Sequence, residues 1–179
     1  LGRQGNSSAY AAPHGVYRCK GEGEKWCAIA VYTDEEWRNF CDVIGNPEWT
    51  GDPKFATFMG RKEEENKLNG FVEEWTVNYT PQEVMRKMQK AGVPAGGVES
   101  GEDLVSDPQL NHRRTHVVLE HPEIGPHIYQ APPYCFSKTP HKLTMPAPCL
   151  GQHNEYVLKE ILGMSDDEIG DLVAAGALE

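Results

Sequence analysis

Val16-Tyr-Arg-Cys-Lys-Gly-Glu-Gly-Glu-Lys-Trp-Cys-Ala-Ile-Ala-Val-Tyr-Thr-Asp-Glu-Glu36 is where the period of the chain changes, and its reading decides the fold class. Val16–Lys20 and Lys25–Tyr32 read as two strands. Gly21-Glu-Gly-Glu24 between them is a short turn with glycines for positive φ. Alternation is poor through Trp26–Val31, which predicts a strand covered on both faces. Thr33-Asp-Glu-Glu36 then has capping-box spacing: the Thr hydroxyl can accept from the Glu36 amide, and the Glu carboxylate can reach back. A hairpin that runs straight into a capped helix, with no βαβ spacing elsewhere, predicts an α+β fold rather than a doubly wound sheet.

Working outward, residues 1–15 are rich in Gly, Ser, Ala and Pro and read as loop. The helix opened at Thr33 carries Trp37, Phe40, Cys41 and Ile44 on one stripe and stops at Gly45. Asn46–Lys54 holds two prolines and reads as loop, and Glu63 to Asn78 reads as a helix with Leu68, Phe71, Val72 and Trp75 inward. Thr80-Pro-Gln-Glu83 is a second capping box, with Pro at the first helical position of a helix that ends at Gly92. Val93–Val98 is expected to be extended, followed by helical turns over Ser100–Val105 and Asp107–Asn111. His116–Glu120 and Pro126–Gln130 read as a hairpin around Pro122-Glu-Ile-Gly125. A proline-rich run then leads to two helices, Gln152–Leu162 and Asp166–Ala174, the latter capped by Ser165 with Glu168. The chain contains neither internal repeats nor a low-complexity tract.

A formal net charge of −10 over 179 residues weighs against a nucleic-acid partner, which selects basic surfaces. The same charge is poorly suited to holding nucleotide phosphates, which want Lys, Arg or helix N-termini. No apolar run is long enough to span a membrane and no signal peptide is present, so no membrane partner is expected. Cys19, Cys27, Cys41, Cys135 and Cys149 are odd in number and form no Cys-x-x-Cys pair. Their apolar surroundings predict reduced packing thiols of a cytoplasmic protein. The absence of a starting Met, with the polar opening Leu1-Gly-Arg-Gln, suggests a cut within a longer protein.

Candidate chemistry is sparse. His121-Pro-Glu-Ile-Gly-Pro-His127 sets two histidines near Glu123, a combination that can chelate a metal. Its prolines and glycine explain the segment more simply as a tight turn, and they exclude a metalloprotease helix. No metal site is assigned. Gly5-Asn-Ser-Ser8 lacks the glycine spacing of a nucleophile elbow, and neither phosphate-cradle spacing occurs. Arg61-Lys-Glu-Glu-Glu65 reads as a solvated helix start. Asn111-His-Arg-Arg114 is the most basic spot; it can touch a phosphate, but it reads more simply as a surface patch. Trp26, Trp37 and Trp75 are expected to face the core, and Trp49 to lie in a loop. These residues describe a well-capped α+β domain without a self-sufficient active site.

An ordered series of short motifs carries a resemblance over nearly the whole chain. It begins at Arg3-Gln-Gly-Asn6 and Ala12-Pro-His-Gly-Val-Tyr17 and runs through Gly45-Asn-Pro-Glu-Trp49, Asp52-Pro-Lys-Phe55, Gly60-Arg-Lys62 and Glu74-Trp75. Ala91-Gly-Val-Pro-Ala-Gly96 and Asp107-Pro-Gln-Leu110 follow. Gly125–Pro140 and Pro146-Ala-Pro-Cys-Leu-Gly-Gln-His-Asn154 complete it. Together they resemble the C-terminal portion of the class III CoA-transferase family, the CaiB/BaiF type. The resemblance implies that residues 1–135 form the small α+β domain. Residues 136–179 would be a proline-rich return segment and C-terminal helices that pack on a Rossmann-like domain built from the other half of the enzyme.

It further implies an interlocked homodimer that takes an acyl-CoA and a carboxylic acid acceptor, with the CoA thioester as substrate and no other cofactor. The family's transferases use an Asp nucleophile in the N-terminal half, so no catalytic residue is assigned to this chain. One substrate-binding site carries over. Where formyl-CoA transferases place a glycine-rich loop that closes over the intermediate, this chain has Ser8, Ala9, Tyr10, Ala11 and Ala12. The loss of glycine and the bulk of Tyr10 point to an acyl pocket different from that for formate or oxalate. The alternatives are a 2-methylacyl-CoA racemase, which moves a proton beside the thioester, and a non-enzymatic protein-binding domain.

Overall fold

The computed structural model describes residues 2, 3 and 5–178; Leu1, Gln4 of the stretch Arg3–Asn6, and Glu179 lie outside them. The fold is α+β, and the chain divides into two compact units, Leu1–Glu99 and Ser100–Glu179.

The first unit is built on a three-stranded antiparallel sheet in the order β1 (His14–Arg18), β2 (Trp26–Ala30), β3 (Ala95–Gly97). Val16 lies opposite Ala28, and Ala28 opposite Gly96, while Tyr17 pairs with Cys27. The pleat sends Tyr17, Cys27 and Ile29 into the core and leaves Val16, Ala28 and Ala30 half-buried on the other face. The strand expected to be covered on both faces is therefore buried on one face and only half-buried on the other. Trp26 belongs to that outer face, where the Arg18 guanidinium lies 5.0 Å from its ring centroid.

Helix α1 (Asp34–Val43) starts with the expected capping box at Thr33 and buries Trp37, Phe40 and Cys41. The segment 46–54 is not plain loop: 3-10 turns form at Glu48–Gly51 and Pro53–Phe55, the second capped by Asp52. A helix absent from the sequence expectation follows, α2 (Phe58–Glu63), capped by Thr57, and α3 (Glu65–Thr76) continues from it. Trp49 stacks on Phe71 at 4.8 Å and meets Phe55 edge-on at 5.6 Å, so this loop tryptophan is part of the core wall. Helix α4 (Pro81–Lys90) has the second capping box at Thr80, with Val84 and Met88 fully buried.

In the second unit, α5 (Gly101–Ser106) and α6 (Pro108–His112) start at Ser100 and Asp107. The expected hairpin forms from β4 (His116–His121) and β5 (Gly125–Gln130), with Val118 opposite Ile128. Its turn is closed by His121, whose Nδ1 accepts from the amides of Glu123 and Ile124. The first C-terminal helix includes a π-helical stretch, Tyr156–Ile161, and α7 (Asp166–Ala174) starts at Ser165 as expected. Among the described residues no helix is long and apolar enough to cross a membrane.

Candidate functional site

Ser8–Ala12 forms a tight turn just before β1. Ser8 and Ala11 make an isolated antiparallel bridge, and the Ser8 hydroxyl accepts from the Tyr10 amide at 3.2 Å. The short serine side chain satisfies a backbone donor that the turn leaves unpaired. Ala9 and Tyr10 form the exposed tip, with Tyr10 81% exposed, whereas Ala11 and Ala12 are buried at its root. The five residues are thus one structural unit, an exposed aromatic on a buried pivot.

The pivot is held from two sides. The Ala12 amide donates to the Val31 carbonyl at 3.0 Å, and the Ala12 carbonyl accepts from Arg61 Nε at 3.0 Å. Arg61 is 1% exposed. It lies inside α2 and is not part of a solvated helix start, which corrects the sequence expectation for Arg61–Glu65. Its remaining donors reach the Phe55 carbonyl at 3.2 Å and Asp34 Oδ1 at 3.1 Å, and its face covers the Trp37 ring at 4.8 Å. Nothing in the local pattern Gly60-Arg-Lys62 announces this, because all four partners come from other elements.

A cleft of about 240 Å³ opens on the outer sheet face, lined mainly by small apolar groups from Val16, Ala28, Ala30 and Gly96 and also by Asn6 and His14; none of Ser8–Ala12 lines it. The His14 Nδ1–H donates to the Asn6 carbonyl, which fixes the ring against the strand. A second, more polar opening of about 300 Å³ shares Asn6 and His14 and is lined by Tyr17, Glu65, Asn69 and Glu73. Lys62 donates to Glu65 at 2.7 Å and to Ser7 at 3.1 Å, and Ser7 donates to Glu65 at 2.9 Å, which ties the chain before the turn to α2 and α3.

Burial pushes the Cys19 and Cys41 thiols up to about 11 and the Cys27 thiol up to about 12. Thiols held protonated in this way are poor nucleophiles at neutral pH. Among the described residues no group of three or more His, Cys, Asp or Glu side chains is arranged to hold a metal ion. The arrangement places a short backbone segment and an aromatic tip; it does not supply an activated nucleophile.

The model of CoA-transferase family III matches residues 1–154. The chain is 32% identical over 179 residues to a formyl-CoA:oxalate CoA-transferase of Bradyrhizobium sp. (strain ORS 278), covering 99% of this chain and 42% of that protein. It is 31% identical over 172 residues to a succinyl-CoA--D-citramalate CoA-transferase of Chloroflexus aurantiacus, covering 96% of this chain and 42% of that protein. Among solved structures, a CAIB/BAIF family protein from Brucella suis superposes with a TM-score of 0.74 at 25% identity, over 89% of this chain and 40% of that one. The chain spans about two fifths of the length of these relatives.

Proposed function

The chain belongs to CoA-transferase family III, and from that membership we propose that it serves as the substrate-capping part of an acyl-CoA:carboxylate CoA-transferase. The observation that carries this reading is the family match over residues 1–154, which takes in the whole turn at Ser8–Ala12. In such a mechanism an Asp carboxylate, in the part of these enzymes that this chain does not span, attacks the acyl-CoA thioester. A mixed anhydride and then an enzyme-bound CoA thioester follow, before the acceptor acid takes the CoA. The role of this chain is to cover that intermediate and exclude water while the acceptor enters.

Ser8, Ala9, Tyr10, Ala11 and Ala12 are the proposed covering segment. Tyr10 supplies bulk where a glycine-rich loop would leave space, which favours an acyl group that can pack against an aromatic ring. Residues 136–179 are the proposed return to a Rossmann-like domain, with exposed Val157, Ile161 and Leu162 as the surface it would cover. That boundary follows the path of the chain towards another domain, whereas compactness divides the described residues at Glu99. The proposed assembly is a cytoplasmic homodimer that uses no cofactor beyond the CoA thioester.

The test uses the full-length protein that contains this chain. It is incubated with a panel of acyl-CoAs, quenched with hydroxylamine, and examined by peptide mass spectrometry. A hydroxamate on an Asp supports the transferase, and the productive acyl-CoA names the donor. No adduct, with deuterium uptake at the acyl α-carbon in heavy water, replaces the reading with a racemase. Neither signal from a folded protein removes both enzyme readings.

A further inference from the structure

We propose that Arg61 is the positioning residue of the Ser8–Ala12 turn, setting through the Ala12 carbonyl where the Tyr10 tip stands over the substrate. The inference rests on the reading of that turn as a covering segment, and it adds a residue that acts without touching substrate.

The guanidinium is a planar fork of five donors that cannot lose its charge in the protein. In Arg61 three of its nitrogens point at three separate segments: the turn root at Ala12, the 3-10 turn at Phe55, and the first residue of α1 at Asp34. Trp37 stacks against the flat face, so the fork cannot rotate without losing that contact. Asp34, its counter-charge, is 73% exposed. The ion pair therefore spans from the interior to the surface, and its outer end is open to change without emptying the core.

The same geometry makes Ala12 the fixed end of the turn. Its amide and its carbonyl are both committed, to Val31 and Arg61, while Ala9 and Tyr10 beyond it have exposed side chains. Since the turn contains no glycine, its residues swing less freely about their own φ and ψ angles. The position of the tip is therefore set by the roots of the turn, and the Ala12 root is where Arg61 binds. A shift of the Ala12 carbonyl of a few tenths of an ångström is carried to the ring of Tyr10 two residues away, and misplacement of a covering group by about 1 Å costs on the order of 10–100-fold in rate.

The experiment compares wild type, Arg61→Lys, Asp34→Asn, Tyr10→Gly and the double variant Arg61→Lys/Tyr10→Gly in the full-length protein. Hydrogen exchange is read on the peptide containing the Ala12 amide and, as control, on the peptide of α4. In Arg61→Lys, exchange at Ala12 is expected to rise about tenfold with the α4 peptide unchanged. Turnover should fall on the order of tenfold with KM for acyl-CoA held within about twofold, and the double variant should be no slower than the slower single one.

Unchanged exchange at Ala12 in folded Arg61→Lys overturns the proposal, and so do multiplicative rate losses in the double variant. If Arg61→Lys does not fold, Asp34→Asn decides: about threefold faster exchange at Ala12 supports the proposal, and wild-type exchange overturns it. If no acyl-CoA turns over at all, the functional reading fails, while the exchange measurement still reads the link from Arg61 to Ala12.

Discussion

The Tyr17 hydroxyl donates to Asn69 Oδ1 at 2.8 Å, joining β1 to α3 across 52 residues of sequence. Tyr17 is almost fully buried, and burial, with the nearby charges of Glu65 and Glu73, raises its phenol well above its ordinary range. The phenol therefore remains a donor under all physiological conditions. Tyr17→Phe removes the bond while keeping the ring, and it is expected to cost about 1 kcal/mol, read as a shift in the urea midpoint at constant slope. A larger loss would mean that Asn69 is left without a substitute partner.

Alkaline stability follows from three desolvated thiols, two buried and one half-buried. Cys19, Cys27 and Cys41 have folded-state values of about 11, 12 and 11 against 9.0 for the free group. Each raised value means that the folded state holds its proton longer than the unfolded one. The stabilising term is complete below pH 9 and is lost as pH rises through 9 to 12. The melting temperature should be flat with respect to these groups up to about pH 8.5 and then decline. Replacing Cys27 by Ala should make that decline shallower.

The same burial predicts labelling order. At pH 8 iodoacetamide should modify exposed Cys135 first, leaving Cys27 and Cys41 as thiols until the protein unfolds. Peptide mapping after timed quenching checks this. Early modification of Cys27 would show that β2 opens locally.

Gly60 is required where it stands. Its amide donates to Thr57 Oγ1 at 3.1 Å, and a Cβ there would run into the Lys54 carbonyl oxygen. Gly60→Ala should cost about 1–3 kcal/mol, because backbone must move and no flexible side chain can yield. It should also speed exchange at Ala12, since the displaced α2 carries Arg61. Unchanged stability would mean that the 3-10 turn at Pro53–Phe55 is free to shift.

Phe55 is fully buried between Trp49 and Phe71. Phe55→Ala is expected to cost about 3–5 kcal/mol by leaving a cavity in this aromatic group. Chemical denaturation followed by tryptophan fluorescence reads it directly, because Trp49 reports on the site.

The features legible in the sequence are local, or are spread along the chain as an ordered series. The capping boxes at Thr33, Thr80 and Ser165 are legible because their partners lie three residues apart. The hairpin at His116–Gln130 is legible for a similar reason: turn residues and flanking strands are contiguous. The α+β class follows from those pieces, and the family from the ordered motifs. The rest depends on contacts between segments. Arg61 sits in a charged run that reads as solvent-facing, yet Ala12, Asp34, Trp37 and Phe55 enclose it from three other segments. Helix α2 is not legible in the sequence because its short Phe58–Glu63 span has no apolar period of its own. Trp26 reads as core-facing in the sequence, but the pleat reserves that side for Cys27 and Ile29. Periodicity reports which residues share a face; which face is covered, and which charge is enclosed, depends on contacts between segments that sequence spacing does not encode.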